Sequence, residues 1–470
     1  MTLILSFLVI LSVIAIVGLS AGRLSKPNKS DYYLASKSLS PWLVGLSAMA
    51  TNNSGYMFIG LIGFTYLVGL PSIWLMIGWI LGDFLISKTI HKKISQETSK
   101  NSNVTYASVI GAWANQGSFF TKFIGLLSLI FLIVYASAQF VSGGKTLMVI
   151  FDWDLWLGIG IGSFIVFMYT LVGGIRASIW TDVIQAIIMV VSMIILVVSC
   201  FISLGGINDA FDKWLLVDNY LNLFPLEIQH SIFLKLIYPI SWLVAGLFVI
   251  GQPHIMVRFM ALKDPELIER ARFHYYIWYL IFYFLAFCVG MLSKIYLSNH
   301  NSFDPELALP LMALELLNPF MVGVIIAGIF AATMSTADSL IINCSGNISQ
   351  DLFKTKNFTS FQIKFITFIV ALISTSIALF NNNSVFSIVI YAWTLLGISF
   401  APLIIILSTG NTITIKTYLI GLLVGIVSFF AINYYGINKF IYAGFIPFCL
   451  NLCFIYLRRQ FNCKNLDKYN

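Results

Sequence analysis

Thr51-Asn52-Asn53-Ser54-Gly55 interrupts an apolar run over 42–66, and Ile250-Gly251-Gln252-Pro253-His254 ends a second one over 232–252. Both inserts are polar or helix-weakening, and they fall at comparable points of two segments long enough to cross a bilayer. Eleven further apolar runs flank them, at 3–22, 70–89, 119–146, 155–174, 181–204, 274–297, 319–349, 362–380, 385–409, 415–433 and 438–457. Numbered along the chain, these make thirteen spans, and the interrupted ones are spans 2 and 7. Spans 2–6 form a set of five and span 7 opens another. Five is odd, so the second set lies in the membrane with inverted topology. Broken helices at matching places of two inverted repeats point to a binding site at the bilayer midplane.

The composition demands lipid as the solvent. Of 470 residues, 59% are hydrophobic and 10% charged, where a soluble domain carries about 25% charged residues. In hydrocarbon the backbone must satisfy its own polar groups, so the runs read as helices; the short alternating segments of a membrane barrel do not occur. The expectation is an all-α polytopic membrane protein of about 13 transmembrane helices, with residues 1–470 as a single transmembrane domain.

Charge placement sets the orientation. With the N-terminus outside and the C-terminus inside, five basic residues (Lys145, Lys213, Lys235, Lys294 and Lys439) fall outside and 22 of the 27 Lys and Arg fall on the cytoplasmic side, as the positive-inside rule requires. The first run has no basic residue before it and Arg23, Lys26 and Lys29 after it. A cleaved signal peptide wants the reverse, so the run counts as a span.

Several function classes lose support at this stage. No GxxxxGK[ST] phosphate loop occurs, the tail beyond residue 459 is short, and neither cysteines nor histidines fall at metal-ligand spacing. Catalytic residues, a nucleotide cofactor and a nucleic-acid partner are not expected. The expected partners are a small-molecule substrate, an ion and the lipid bilayer of the cell (inner or plasma) membrane.

Three carboxylates sit in or at the ends of spans: Asp83, Asp182 and Asp338. An ionisable group inside a membrane is costly and is a functional hypothesis by default. Asp338 lies in Ala331-Ala332-Thr333-Met334-Ser335-Thr336-Ala337-Asp338-Ser339, where Ala332, Ser335, Thr336 and Ser339 share one helix face. Two hydroxyls and a carbonyl one turn earlier suit a hard monovalent cation; the same residues also suit close helix packing. The unwound stretch near Asn53 offers further carbonyls. Asp182 opens span 6, where an acidic residue also stabilises a helix N-terminus. Asp83 is placed to pair with a nearby lysine. For a substrate cavity, Tyr135, Tyr391 and Trp393 are the aromatic candidates.

These motifs resemble the sodium/solute symporter family, and within it most nearly the sodium/proline symporters. The resembling segments are Asp31-Tyr32-Tyr33-Leu34, Leu46-Ser47-Ala48 with Ser54-Gly55, Gly173-Gly174 with Trp180-Thr181-Asp182 and Gln185-Ala186, Gly251-Gln252-Pro253-His254-Ile255 with Arg258-Phe259-Met260-Ala261, Ala331-Ala332 with Met334-Ser335-Thr336, and Tyr391-Ala392-Trp393 with Ala401-Pro402. They are collinear from about residue 30 to 402. The resemblance implies a leucine-transporter-type 5+5 inverted-repeat core at 42–204 and 232–409, with span 1 and residues 415–457 peripheral. It implies sodium as coupling ion, held by carbonyls at Ala50, Asn53 and Ala332 and by the hydroxyls of Ser335 and Thr336. It implies a second ion site or release path at Asp182, Asp338 and Ser339, and a substrate site at Asn52, Ser54, Gly55, Tyr135, Gln252 and Trp393. Two positions depart from the proline symporters: Asn52 stands where they carry an aspartate, and Ala245 and Val249 stand where they carry aromatics.

The function implied is sodium-coupled import of a small organic solute, proline or a related amino acid. Alternatives are symport of a pantothenate-like acid, a carboxylate or a betaine, and, in another class, a transporter-derived sensor or channel-like protein.

Overall fold

The computed structural model describes residues 1–24, 26, 28–100, 103–170, 174–298, 303–353, 358–380 and 384–466; Gly173 of the span 6 motif lies outside them. Each of the thirteen predicted segments is helical. Among the described residues ten helices are long and apolar enough to cross a membrane on their own, and the shorter apolar helices Met57–Val68, Leu155–Met168 and Phe445–Arg458 fall in spans 2, 5 and 13. Span 2 is short in each part because it is broken, with halves Pro41–Asn52 and Met57–Val68.

Three sequence expectations change. Span 7 does not end at Pro253: Ile232–Leu247 passes through a 3-10 turn at Phe248–Gly251 and resumes as Pro253–Met260, so its break lies inside the span. Pro253, lacking an N–H, occupies the first turn of the new helix, where none is needed. Span 6 starts at Gly174, which puts Asp182 about two turns inside it, beyond the reach of a first-turn dipole effect. Arg258, counted with the cytoplasmic charges, is 1% exposed in the second half of span 7.

Spans 9 and 11 form the centre. In their most apolar stretches 83% of residues are buried, against 22% in span 1, which runs along the periphery. Span 9 packs on spans 1, 4 and 6. Span 3 packs on the first half of span 7, and span 8 packs on the first half of span 2. This exchange is reciprocal, as two interlocked repeats require. Glycines permit both contacts. A Cβ on Gly82 would lie 2.0 Å from Leu243 O, one on Gly246 2.1 Å from Trp79 O, and one on Gly45 2.4 Å from Ala271 O.

The Asp31-Tyr32-Tyr33-Leu34 motif has a structural task. Asp31 Oδ1 lies 2.6 Å from Arg176 Nη2, which ties the motif to the start of span 6, and Tyr33 Oη lies 2.8 Å from Ser349 Oγ at the end of span 9.

Candidate functional site

The backbone accounting at the first break identifies its free acceptors. In a continuous helix the N–H groups of Ser54, Gly55 and Tyr56 would serve the carbonyls of Ala50, Thr51 and Asn52. Here Ser54 N–H donates to Asn52 O (3.0 Å), Gly55 N–H to Gln139 Oε1 (2.9 Å) and Tyr56 N–H to Ser54 Oγ (3.2 Å). Met57 N–H likewise donates to Ser54 O (2.9 Å) rather than to Asn53 O. Ala50 and Asn53, two of the expected sodium ligands, therefore lose their helical partners. Thr51 O is taken up by the hydroxyl of Thr336 at 2.8 Å, which sets span 9 against the break.

The second break differs. Tyr106 Oη donates to Ile250 O (2.5 Å), and Gln252 Nε2 donates to Phe248 O (3.2 Å) and Trp393 O (3.1 Å). Its carbonyls are served by side chains, whereas the first break leaves acceptors open.

Beside the first break lies a buried charged cluster. Asp182, fully buried, accepts from Ser47 Oγ at 2.6 Å and Ser335 Oγ at 2.7 Å, and Arg258 Nη2 stands 3.3 Å from Asp182 Oδ2. Arg258 also donates to Ser178 Oγ (2.9 Å), to His254 O (3.0 Å) and to Ser339 Oγ. Asp338 Oδ1 lies 3.1 Å from Ser178 Oγ and 3.0 Å from Ser339 Oγ. Two aspartates share one arginine, so the cluster holds one carboxyl more than its fixed cation balances. A proton on that carboxyl or a bound monovalent cation completes the balance. Ser335 and Thr336 donate their protons to Asp182 and Thr51 O, so the hydroxyl oxygens keep lone pairs for a cation. Ala332 is fully buried on the same helix. A cavity of about 310 Å³, lined in part by Leu11, Phe164, Met168, Ser178 and Asp338, reaches the cluster from the side of span 1.

The expected substrate residues divide. Ser54, Gly55, Tyr135, Gln252 and Trp393 surround the two breaks, with the Tyr135 ring 5.2 Å from that of His254. Trp393 Nε1 donates to Ala245 O (2.8 Å), and its ring packs 4.8 Å from Trp79, beside the small Ala245. Buried polar atoms without a hydrogen-bond partner gather here: Asn53 Oδ1, Tyr56 Oη, Gln139 Nε2, Gln252 Oε1 and both ring nitrogens of His254. Such atoms call for an occupant. Asn52 instead turns its amide nitrogen to Tyr275 Oη at 2.6 Å. Tyr391 is on the surface, 42% exposed, and bonds Asn433, so it leaves the cavity set. Among the described residues Asp83 has no lysine partner; Tyr275 and Tyr276 donate to it at 2.6 and 2.8 Å.

Sequence reasoning did not assign Arg258, Ser47, Ser178 and Gln139 to the site. Arg258 carried a signal: it follows the second break within a single helical segment, and a basic residue there balances intramembrane aspartates.

Two broken helices around a buried centre of two aspartates and an arginine, in an interlocked bundle, define a multi-pass membrane carrier of the leucine-transporter fold. Among solved structures, a Na+-coupled sialic acid symporter in a substrate-bound outward-open state superposes with a TM-score of 0.81, at 17% identity over 97% of this chain and 96% of that one. MhsT in complex with L-phenylalanine does so at 0.57, with 13% identity over 89% and 98%. The sequence profile of the Sodium:solute symporter family matches residues 32–425, and the chain belongs to that family. It is 30% identical to the high-affinity proline transporter PutP of Bacillus subtilis (strain 168) over 92% of this chain and 93% of that one. It is 28% identical to the sodium/proline symporter of Escherichia coli (strain K12) over 90% and 86%.

Proposed function

We propose that this chain imports a small organic solute, proline or a related amino acid, by sodium-coupled symport with alternating access. The observation that carries the reading is the loss of helical partners at the Ala50 and Asn53 carbonyls, which flank the Thr51 carbonyl that Thr336 Oγ1 reaches, beside the buried Asp182, Asp338 and Arg258. Sodium bound by Ala50, Asn53, Ala332, Ser335 and Thr336 joins span 2 to span 9. That fixes the backbone of Ser54-Gly55, where the substrate binds with Tyr135, Gln252 and Trp393. Asp182, Asp338 and Ser339 form a second ion site or a release path. In this reading 42–204 and 232–409 are the inverted repeats, span 1 and 415–457 are peripheral, and the N-terminus is outside. A membrane potential contributes about 2.3 kcal/mol per charge per 100 mV, more than a tenfold accumulation for one sodium.

A neighbouring reading has a specific observation behind it. Ala245, whose carbonyl accepts from Trp393 Nε1, and Val249 stand where the proline symporters carry aromatics, and in this reading the solute is another amino acid, a betaine or a small carboxylate. Proteoliposomes with an inward sodium gradient should take up labelled proline or one of these solutes, and counterflow should follow. Uptake of equal rate with choline replacing sodium, or with a proton gradient alone, defeats sodium coupling.

A further inference from the structure

Asn52 is the last residue of the first half-helix of span 2, and its side chain begins a directed hydrogen-bond chain. Asn52 Nδ2 lies 2.6 Å from Tyr275 Oη, and Tyr275 Oη lies 2.6 Å from Asp83 Oδ2. On the other oxygen, Tyr276 Oη stands 2.8 Å from Asp83 Oδ1 and 2.5 Å from Ser87 Oγ. Arg272 closes the far end: Nε donates to Ser87 Oγ at 3.1 Å, and the guanidinium lies 5.6 Å from the centre of the Tyr276 ring. Asp83 and Tyr275 are fully buried, and Asn52 is 6% exposed.

The chain has one polarity. With Asp83 ionised the carboxylate accepts only, so Tyr275 donates its single proton to Asp83 and accepts from its other neighbour. That neighbour is therefore the NH2 of Asn52, not the amide oxygen. The orientation of a side-chain amide is set by its network, and here the network is set by the charge on Asp83. Asn52 Oδ1, which receives no hydrogen bond among the described residues, is left as an acceptor at the break. Were Asp83 neutral, Tyr275 could donate to Oδ1 instead, and the amide would turn its NH2 outward.

We propose that Asp83 is a positioning residue for the ion site: through Tyr275 it holds the Asn52 amide with its oxygen, rather than its NH2, free at the break. The inference rests on sodium as the coupling ion.

The test uses purified full-length protein in nanodiscs, titrated with sodium against choline at constant ionic strength, read by tryptophan fluorescence and unfolding temperature. Asp83→Asn and Tyr275→Phe are each expected to raise the half-saturating sodium concentration at least fivefold. The double variant should be no worse than the worse single one, because both act along one chain. Asn52→Asp in the Asp83→Asn background should return the value to within twofold of wild type, since a carboxylate presents oxygen whichever way it turns; a purely structural role of Asp83 would not be rescued so. If Asp83→Asn does not fold, the Tyr275→Phe result decides. A wild-type protein that responds to sodium while both single variants stay within twofold of it overturns this inference alone, as does a missing rescue. A wild-type protein with no sodium response overturns the coupling reading and this inference together.

Discussion

Arg258 Nη2 and Asp182 Oδ2 stand 3.3 Å apart, joining the second half of span 7 to span 6, with the two side chains 1% and 0% exposed. The pair is completed by hydroxyls from Ser47, Ser178 and Ser335, so no member is left to the hydrocarbon alone. Removing one partner of a buried pair costs about 3–5 kcal/mol, because the other charge stays buried. Arg258→Met should therefore lower the unfolding temperature sharply in choline. Added sodium should recover part of the loss, since two carboxylates then face each other without a fixed cation. Arg258→Lys should lose less. Thermal unfolding in sodium and in choline checks this, and a loss that is equal in both salts refutes it.

Ser335 and Thr336 each offer an oxygen whose proton is already donated elsewhere. Ser335→Ala and Thr336→Ala should each raise the half-saturating sodium for uptake tenfold or more, equivalent to about 1.4 kcal/mol of lost ion binding. Thr336→Ser keeps the oxygen and should stay near wild type. Sodium-dependent uptake rates decide, and alanine variants with unchanged sodium dependence would reject the site.

Gly82 and Gly246 let spans 3 and 7 meet backbone to backbone. A larger side chain there must push the helices apart, and overpacking of this kind costs about 1–3 kcal/mol. Gly246→Val and Gly82→Val should both destabilise the folded protein, while Gly160→Ala, where an added methyl meets nothing within 4 Å, should not. Unfolding temperatures of the three variants test the contrast.

At the opposite end, Lys145 Nζ lies 2.6 Å from both Asp304 and Glu306, and Glu306 accepts from Val385 N (3.0 Å) and Phe386 N (2.8 Å). Glu306 thus caps span 11 while Lys145 neutralises it. Glu306→Ala leaves two buried donors unserved, at about 1–3 kcal/mol, and should speed amide exchange in the first turn of span 11. Glu306→Gln retains an acceptor and should show a smaller effect. Hydrogen exchange across residues 384–389 is the measurement.

The thirteen helices were legible because bilayer thickness imposes a length on every apolar run, and the two breaks because Asn52-Asn53-Ser54-Gly55 and Gly251-Gln252-Pro253 are poor helix formers. What sequence could not give was distance across the bundle. Asp182 read as a first-turn residue because its helix was started at 181; seven residues of amphipathic helix before it, Gly174 to Trp180, carry Arg176 and escape a hydropathy scan. Arg258 looked like a loop charge because the run ended at Pro253. Asp83 seemed placed for a lysine, yet its partners are tyrosines nearly two hundred residues later, a pairing that only the packing of span 8 brings about.

The reciprocal packing of span 3 on span 7, and of span 8 on span 2, also bears on how the chain is made. The half-helix Pro41–Asn52 leaves the ribosome long before Ile268–Tyr296, its neighbour, has been translated. During that interval Asn52 and the open carbonyls on either side of it lie in the bilayer without Tyr275, and Asp83 lies there without either tyrosine. A nascent chain released after span 6 would hold Asp83 without Tyr275 and Tyr276, and Asp182 without Arg258 and Ser335, so the first half meets the last of these partners only once span 9 has been made.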